Sequence, residues 1–160
     1  MLNNEASREA LKKAKRIVIK VGTSTITYAN GKRNFSQIDR LAREISDLQN
    51  QGKEMILVTS GAVAVGVDRM GLPGKPKTIP GKQAVGQGVL MHTYEKFFAD
   101  YGQIVAQVLI TKTEAIDRHR YTNTRNTFME LMRQRVIPIV NENDVVALDE
   151  LKIGDNDNMS

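Results

Sequence analysis

Two segments rich in carboxylates and amides are the first candidates for a ligand site. They are Asn141-Glu142-Asn143-Asp144 and Gly154-Asp155-Asn156-Asp157. Such side chains are poor core residues and could bind an ammonium group, Mg²⁺ or a lysine, unless both segments are simply solvated surface loops. The alternation from Asp155 to Asn158 also resembles the start of a calcium loop, but the chain ends before the later ligands of an EF-hand could appear.

A transition-metal site is not expected from this composition. The chain contains no cysteine and only two histidines, His92 and His119. Because such metals favour imidazole and thiolate ligands, we predict no metal-ligating residues.

A lysine, a glycine and two hydroxyl residues lie in the segment Lys20-Val21-Gly22-Thr23-Ser24. The lysine ammonium group could neutralise a phosphate, and the glycine would let the backbone approach it closely. The Gly-Lys-Ser/Thr order of a Walker loop is absent. A lysine that merely closes an edge strand explains Lys20 equally well.

Small residues form the segment Thr59-Ser60-Gly61-Ala62-Val63-Ala64. If a strand passes directly into a helix here, the free N–H groups of the helix N-terminus face the ligand side of the sheet. That arrangement binds carboxylate or phosphate. The alternative is a tight strand-to-helix turn that has no ligand.

Alternating strands and helices must position these segments. The predicted strands are 16–21, 55–58, 104–110 and 136–140. The predicted helices are 6–15, 36–52 with Ser36 as an N-cap, a small-residue helix that follows 60–62 and runs through Met70, 82–101 and 118–133, and a loop is predicted at 72–81. This order predicts an α/β fold, a three-layer α/β/α sandwich with a mostly parallel sheet. Ligands of such sheets bind at the carboxyl ends of the strands. Pro138 is unusual in a central strand.

Composition and charge fit one ordinary globular domain. At 160 residues, 41% of them hydrophobic, the chain can bury a single core, and no apolar run is long enough to span a membrane. Without cysteine or a leader segment, the protein is expected to be cytoplasmic. The net charge of +5 is either a solvated surface or a mild attraction for anions. The few aromatic residues argue against nucleic-acid binding.

Five segments, taken together, resemble the amino-acid kinase family. They are 18–24, 58–66, 82–87, 138–144 and 153–160. Their order and spacing are similar to the branch that phosphorylates the side-chain carboxylate of L-glutamate. Aspartokinases, acetylglutamate kinases and uridylate kinases share the lysine-glycine start but not the whole set. The resemblance implies the amino-acid kinase fold and the ATP-dependent synthesis of glutamyl 5-phosphate, the first step of proline biosynthesis.

The resemblance also implies roles for individual residues. Lys20 would neutralise the transferring phosphoryl group, while Gly22 and Thr23 would cradle the phosphates of ATP, which carries Mg²⁺. Asp157 would orient Lys20 or a second lysine. The residues implied in binding or supporting glutamate are Ser60, Gly61, Asn141, Asp144, Asp155 and Asn156. A glutamate side chain, with a pKa of about 4.3, is already ionised at pH 7 and needs no general base.

By the same resemblance, residues 1–160 would be the N-terminal portion of an amino-acid kinase domain, without the ATP-binding portion and without a PUA domain. Such a portion is expected to have weak kinase activity or none. Two other functions stay open, namely a non-catalytic glutamate-binding fragment and a kinase for another small amino acid such as aspartate. The implied partners are L-glutamate and ATP, and the family's dimers and tetramers leave a homo-oligomer open.

Overall fold

Four parallel strands form the centre of the computed structural model, which describes residues 9–10, 12–71, 79–111, 113, 116–143 and 145. The strands are β1 (Arg16–Val21), β2 (Glu54–Thr59), β3 (Val105–Ile110) and β4 (Ile137–Glu142), in the spatial order β1-β2-β4-β3. In this register Lys20 lies opposite Val58, and Val58 lies opposite Val140. The predicted α/β class and the parallel sheet are confirmed.

Helices flank the sheet. They are α1 (Thr23–Ile26), α2 (Phe35–Asn50), α3 (Ala62–Met70), α4 (Ile79–Asp100) and α5 (Arg118–Arg133). Among the described residues, no helix combines the length and the apolar character that crossing a membrane requires. The end of α3 at Met70 and both bounds of α5 agree with those predicted from the sequence, because small-residue and amphipathic periods mark them clearly.

The N-terminus of α2 differs from the prediction. The helix begins at Phe35, and Asn34 rather than Ser36 is the N-cap, since its side chain accepts a hydrogen bond from the Gln37 N–H at 3.2 Å. Both residue types can cap a helix, so composition alone did not decide between them. The face of α2 that packs against the core carries Ile38 and Ile45, both fully buried.

The prediction of a loop at 72–81 is wrong for its last three residues, because α4 begins at Ile79. Pro80 therefore lies in the first helical turn, where its missing N–H costs no helical hydrogen bond. Residues 72–78 lie outside the described part of the chain. Of the predicted helix 6–15, residues 9–10 and 12–13 are helical, 14–15 are not, and the others lie outside the described part.

Pro138 is accommodated by its position in the ladder. The neighbouring Ile137 N–H donates to Ile104 O at 2.9 Å on the β3 side. Because successive residues of a strand direct their N–H groups to opposite sides, the nitrogen of Pro138 faces β2. The pairing of β2 with β4 begins only at Leu57 and Ile139. The proline therefore lies at the start of that ladder, where a missing donor breaks no established pair.

Two glycines bring α3 and α4 into backbone contact. A Cβ atom on Gly66 would lie 1.9 Å from Lys82 O, and one on Gly86 would lie 1.6 Å from Ala62 O. No side chain fits at either position. Farther along α4, Tyr94 and Phe98 are fully buried and belong to the same core cluster as Leu57 of β2. Helix α4 is thereby held both by α3 and by the sheet.

Replacing Gly86 by alanine tests this contact. Gly86→Ala should lower the free energy of unfolding by more than about 2 kcal/mol, because the new methyl group meets rigid backbone. Gly88→Ala on the same helix is the matched control, since a Cβ there meets nothing within 4 Å; it should be neutral or stabilise by about 0.5–1 kcal/mol. Urea unfolding followed by circular dichroism measures both. Equal changes in the free energy of unfolding for the two variants would contradict the close backbone contact between α3 and α4.

Candidate functional site

A cleft opens where β1, β2 and β4 end. Its volume is about 370 Å³, and the lining residues that carry polar groups are Thr23, Ser60, the segment 61–64, Gln83 and Asn141. Lys20 and Glu142 line a smaller cavity beside it, together with Ser60 and Asn141. The sheet register explains this convergence, because parallel strands bring their carboxyl ends to one edge.

The N-terminus of α3 supplies backbone donors to the cleft. Its N-cap is Gly61, which offers no side-chain cap, and the first helical hydrogen bond runs from the Val65 N–H to Gly61 O at 3.0 Å. The N–H groups of Ala62, Val63 and Ala64 therefore precede the helical ladder. Because these residues line the cleft, the helix dipole and the unpaired N–H groups favour an anion such as a carboxylate there.

Gly61 is required by its backbone conformation. Its φ is +96°, in the left-handed region that a side chain disfavours, and an added Cβ would lie 3.1 Å from Ile26 Cδ1. The strand β2 can turn into α3 this sharply only through such a residue. The predicted strand-to-helix turn is thus tight, and it also has a cleft in front of it.

Ser60 and Thr23 meet above the end of β1. The Ser60 hydroxyl donates to Val21 O at 3.3 Å and lies 3.4 Å from Thr23 Oγ1. These contacts orient Ser60 Oγ between the β1–α1 turn and the N-terminus of α3. A ligand in the cleft would find two hydroxyl groups close together, each able to donate or to accept.

A buried tyrosine supports this turn from below. Tyr94 OH lies 2.8 Å from Thr59 Oγ1, and the Thr59 hydroxyl in turn donates to Ser60 O at 3.3 Å. The carbonyl of Ser60 is therefore held in place by a chain of hydroxyl groups that begins inside the core. Burial raises the pKa of Tyr94 to about 12, so the phenol stays protonated at neutral pH.

The end of β4 is held by two glutamines of α4. Gln83 Nε2 donates to Glu142 O at 3.0 Å, and Asn141 Nδ2 donates to Gln87 Oε1 at 2.7 Å. The Glu142 N–H donates to Asn141 Oδ1 at 2.9 Å. Asn141 is nearly inaccessible to solvent, and its amide is fixed on both sides.

Lys20 lies near the end of β1 and Gly22 directly follows the strand. This is where residues that bind a phosphate are expected in a parallel sheet. Lys20 is the exposed, second-to-last residue of β1, one residue before the buried Val21. Gly22 is the N-cap of α1, and a Cβ added there would meet nothing within 4 Å. Its φ of −81° is open to any residue, so the glycine leaves free space in front of the backbone rather than relieving strain.

Comparison with known proteins gives the family. The amino acid kinase family model matches residues 15–160. The chain belongs to the amino acid kinase family.

Curated relatives are named glutamate 5-kinase. The chain is 56% identical over 156 residues to that of Moorella thermoacetica, covering 96% of this chain and 41% of the relative. It is 54% identical over 156 residues to that of Clostridium tetani, covering 96% and 58% respectively, and 52% identical over 160 residues to that of Clostridium perfringens, covering 96% and 60%. The chain thus spans between two fifths and three fifths of the length of these relatives.

The fold brings six of the residues predicted for this amino acid kinase to one edge of the sheet. They are Lys20, Gly22, Thr23, Ser60, Gly61 and Asn141. The roles implied for them stay predictions. Asp144, Asp155, Asn156 and Asp157 lie outside the described residues. Within the described part of the chain, no group of histidine and carboxylate residues could hold a metal ion.

Sequence reasoning missed the contributions of α4. Gln83, Gln87 and Tyr94 reach the site from the middle of a helix, and the segments 82–84 and 85–87 carried no role beyond their match to the family. Lys82 is also buried, without a hydrogen-bond partner at Nζ in the described structure, and burial lowers its pKa. The one available signal was the spacing of Gln83 and Gln87, which places two amides on the same face of a helix.

The raised pKa of Tyr94 predicts a pH dependence of stability. A phenol whose pKa rises from 10.0 in the unfolded chain to about 12 in the fold stabilises the fold fully below pH 10 and loses that contribution as the pH rises toward 12. Between pH 9 and 11 the parent should lose about 1 kcal/mol more stability than Tyr94→Phe. Urea titrations at each pH measure the difference. Tyr121→Phe is the control, because this side chain is exposed. Between pH 9 and 11 it should lose as much stability as the parent does.

Proposed function

We propose that the chain forms the amino-acid-binding part of a kinase that transfers the γ-phosphoryl group of ATP to the side-chain carboxylate of L-glutamate. The product would be glutamyl 5-phosphate, for the first step of proline biosynthesis. The observation that carries the proposal is the cleft in front of the uncapped N-terminus of α3, bordered by Ser60 and Asn141 and adjacent to Lys20. Similarity to relatives named glutamate 5-kinase supports the choice of substrate.

The cleft suits an amino-acid substrate that carries carboxylates. Backbone N–H groups at residues 62–64 and the hydroxyl groups of Ser60 and Thr23 are hydrogen-bond donors, and none of the described residues that line the cleft carries a carboxylate. A carboxylate there would keep its negative charge, because a helix N-terminus stabilises the ionised form. The ionised side chain of glutamate is itself the nucleophile, so the protein has only to hold and align it.

Lys20 would stabilise the negative charge on the transferring phosphoryl group, and the backbone at Gly22 and Thr23 would hold the phosphates. The open space in front of Gly22 fits such a group, since among the described residues, apart from the glycine and its two chain neighbours, no heavy atom lies within 4 Å of the position of a Cβ there. ATP would supply the phosphoryl group, and Mg²⁺ bound to its phosphates would neutralise part of their charge. In-line alignment of two anions is the main task of such a site.

The acidic residues complete the proposal. We assign Asp144 and Asn156 to the substrate, with Asp155 supporting them and Asp157 orienting Lys20 or a second lysine. A carboxylate is a suitable partner for the ammonium group of an amino acid, which the donors of the cleft cannot satisfy. The cytoplasmic location and a homo-oligomer stay predictions.

Calorimetric titration of the chain with L-glutamate tests the substrate. Binding is expected, and Ser60→Ala should weaken it about five-fold to ten-fold, because one hydroxyl contact to the ligand is lost. Ser36→Ala is the matched control, since Ser36 is exposed on α2, and it should bind as the parent does. Titration with L-aspartate under the same conditions compares the two side-chain lengths.

The outcomes separate the candidate functions. Tighter binding of L-aspartate than of L-glutamate would favour a kinase for another amino acid, and no binding of either by a folded chain would overturn the proposal. Turnover is measured separately with ATP, Mg²⁺ and hydroxylamine, which traps an acyl phosphate as a hydroxamate. Absence of hydroxamate is also expected of an amino-acid-binding part alone, so ATP is titrated in the same calorimeter, and binding of L-glutamate without binding of ATP would favour a non-catalytic glutamate-binding chain.

A further inference from the structure

Helix α4 presents two buried amides to the end of β4. Gln83 is 2% exposed and Gln87 is 8% exposed, and a spacing of four residues places them on the same helical face. Glutamine is seldom buried without a hydrogen-bonding purpose. Both side chains meet the last two residues of β4, and neither has a role in the function proposed above.

The hydrogen bonds of Asn141 leave one donor for a ligand. Asn141 Oδ1 accepts from the Glu142 N–H, and one hydrogen of Asn141 Nδ2 is donated to Gln87 Oε1 at 2.7 Å. A primary amide has two N–H groups, and the described residues offer no second acceptor to Asn141 Nδ2. Asn141 also lines the cleft that contains the N-terminus of α3. The residue that carries this N–H therefore borders the same cleft as the backbone donors of that helix.

We propose that Gln87 is a positioning residue for the substrate carboxylate, acting through Asn141. By accepting one hydrogen of the Asn141 amide, Gln87 prevents the amide from turning over and keeps its second N–H directed to the cleft. An oxygen in place of that nitrogen would repel a carboxylate. The inference rests on the proposed function, because it takes L-glutamate as the ligand.

The contact between α3 and α4 fixes the position of Gln87 relative to the N-terminus of α3. Gly86 precedes Gln87 in the chain, and its backbone contacts Ala62, the first residue of α3. Gln87 is therefore tied to the helix N-terminus on one side and to Asn141 on the other. Placed this way, Gln87 can hold the Asn141 amide in a fixed position relative to the backbone N–H groups of α3. An exposed glutamine could not do so.

The side-chain amide signals of Asn141 in ¹⁵N-labelled protein provide the direct test. In the parent, L-glutamate should shift one Asn141 N–H strongly. Gln87→Met keeps the length of the side chain but removes the acceptor, so the shift should be lost and binding of L-glutamate should weaken about five-fold to ten-fold. Gln87→Glu keeps an acceptor oxygen and should retain the signature of a bonded Asn141 amide in the free protein.

A double-mutant cycle shows whether Gln87 acts through Asn141. In an Asn141→Ala background, Gln87→Met should have no further effect on the dissociation constant of L-glutamate. Gln49→Met is the matched control, because Gln49 is also buried and its Nε2 bonds to Arg135 O at 3.0 Å, neither residue being among those that line the cleft. It should lower stability without changing binding.

The results separate this inference from the proposed function. If the parent does not bind L-glutamate, the proposed function fails, and the inference that depends on it fails as well. If the parent binds but its Asn141 signals do not move, or if Gln87→Met weakens binding equally with and without Asn141, the inference alone is overturned. The shift in the parent needs no variant, so misfolding of Gln87→Met would not prevent the test.

Discussion

The backbone contact between α3 and α4 is the constraint on which the rest of the site depends. At Gly66 and Gly86 the helices approach so closely that a Cβ atom would overlap a carbonyl oxygen. Because Ala62 is both the first residue of α3 and a partner in this contact, the crossing fixes where the helix N-terminus lies. The same contact sets the register of α4, and with it the positions of Gln83 and Gln87 at the end of β4.

The polar groups around the cleft are held by hydrogen bonds from neighbouring residues. Tyr94 and Thr59 hold the Ser60 carbonyl, Val21 O accepts from the Ser60 hydroxyl, and Gln87 holds Asn141. Each such bond contributes only about 1 kcal/mol to stability. Their larger effect is to fix the direction of the remaining donors before a ligand arrives, which reduces the ordering that binding would require.

Much of the fold could be predicted from residue patterns. The strands β1 and β2 follow from continuous apolar, β-branched runs, and α5 follows from its helical period, because burial imposes those periods on the sequence. The errors lie at element ends. Asn34 and Ser36 are both capable N-caps, and in the fold the helix begins at Phe35 with Asn34 as its cap. Pro80 was taken for part of a loop, although a first helical turn accepts proline as readily.

The sequence by itself determined the chemical composition of the site and its place at the strand ends. Lys20, Gly22, Ser60, Gly61 and Asn141 lie within three residues after apolar runs, so their position at the carboxyl edge of a parallel sheet follows from chain order. Only the tertiary structure decided which groups are held and which remain available to a ligand. That depends on Gln87 and Tyr94, which are distant in sequence from the strands they support. A hydrogen bond across more than thirty residues leaves no local pattern, because its partners are brought together by packing rather than by spacing.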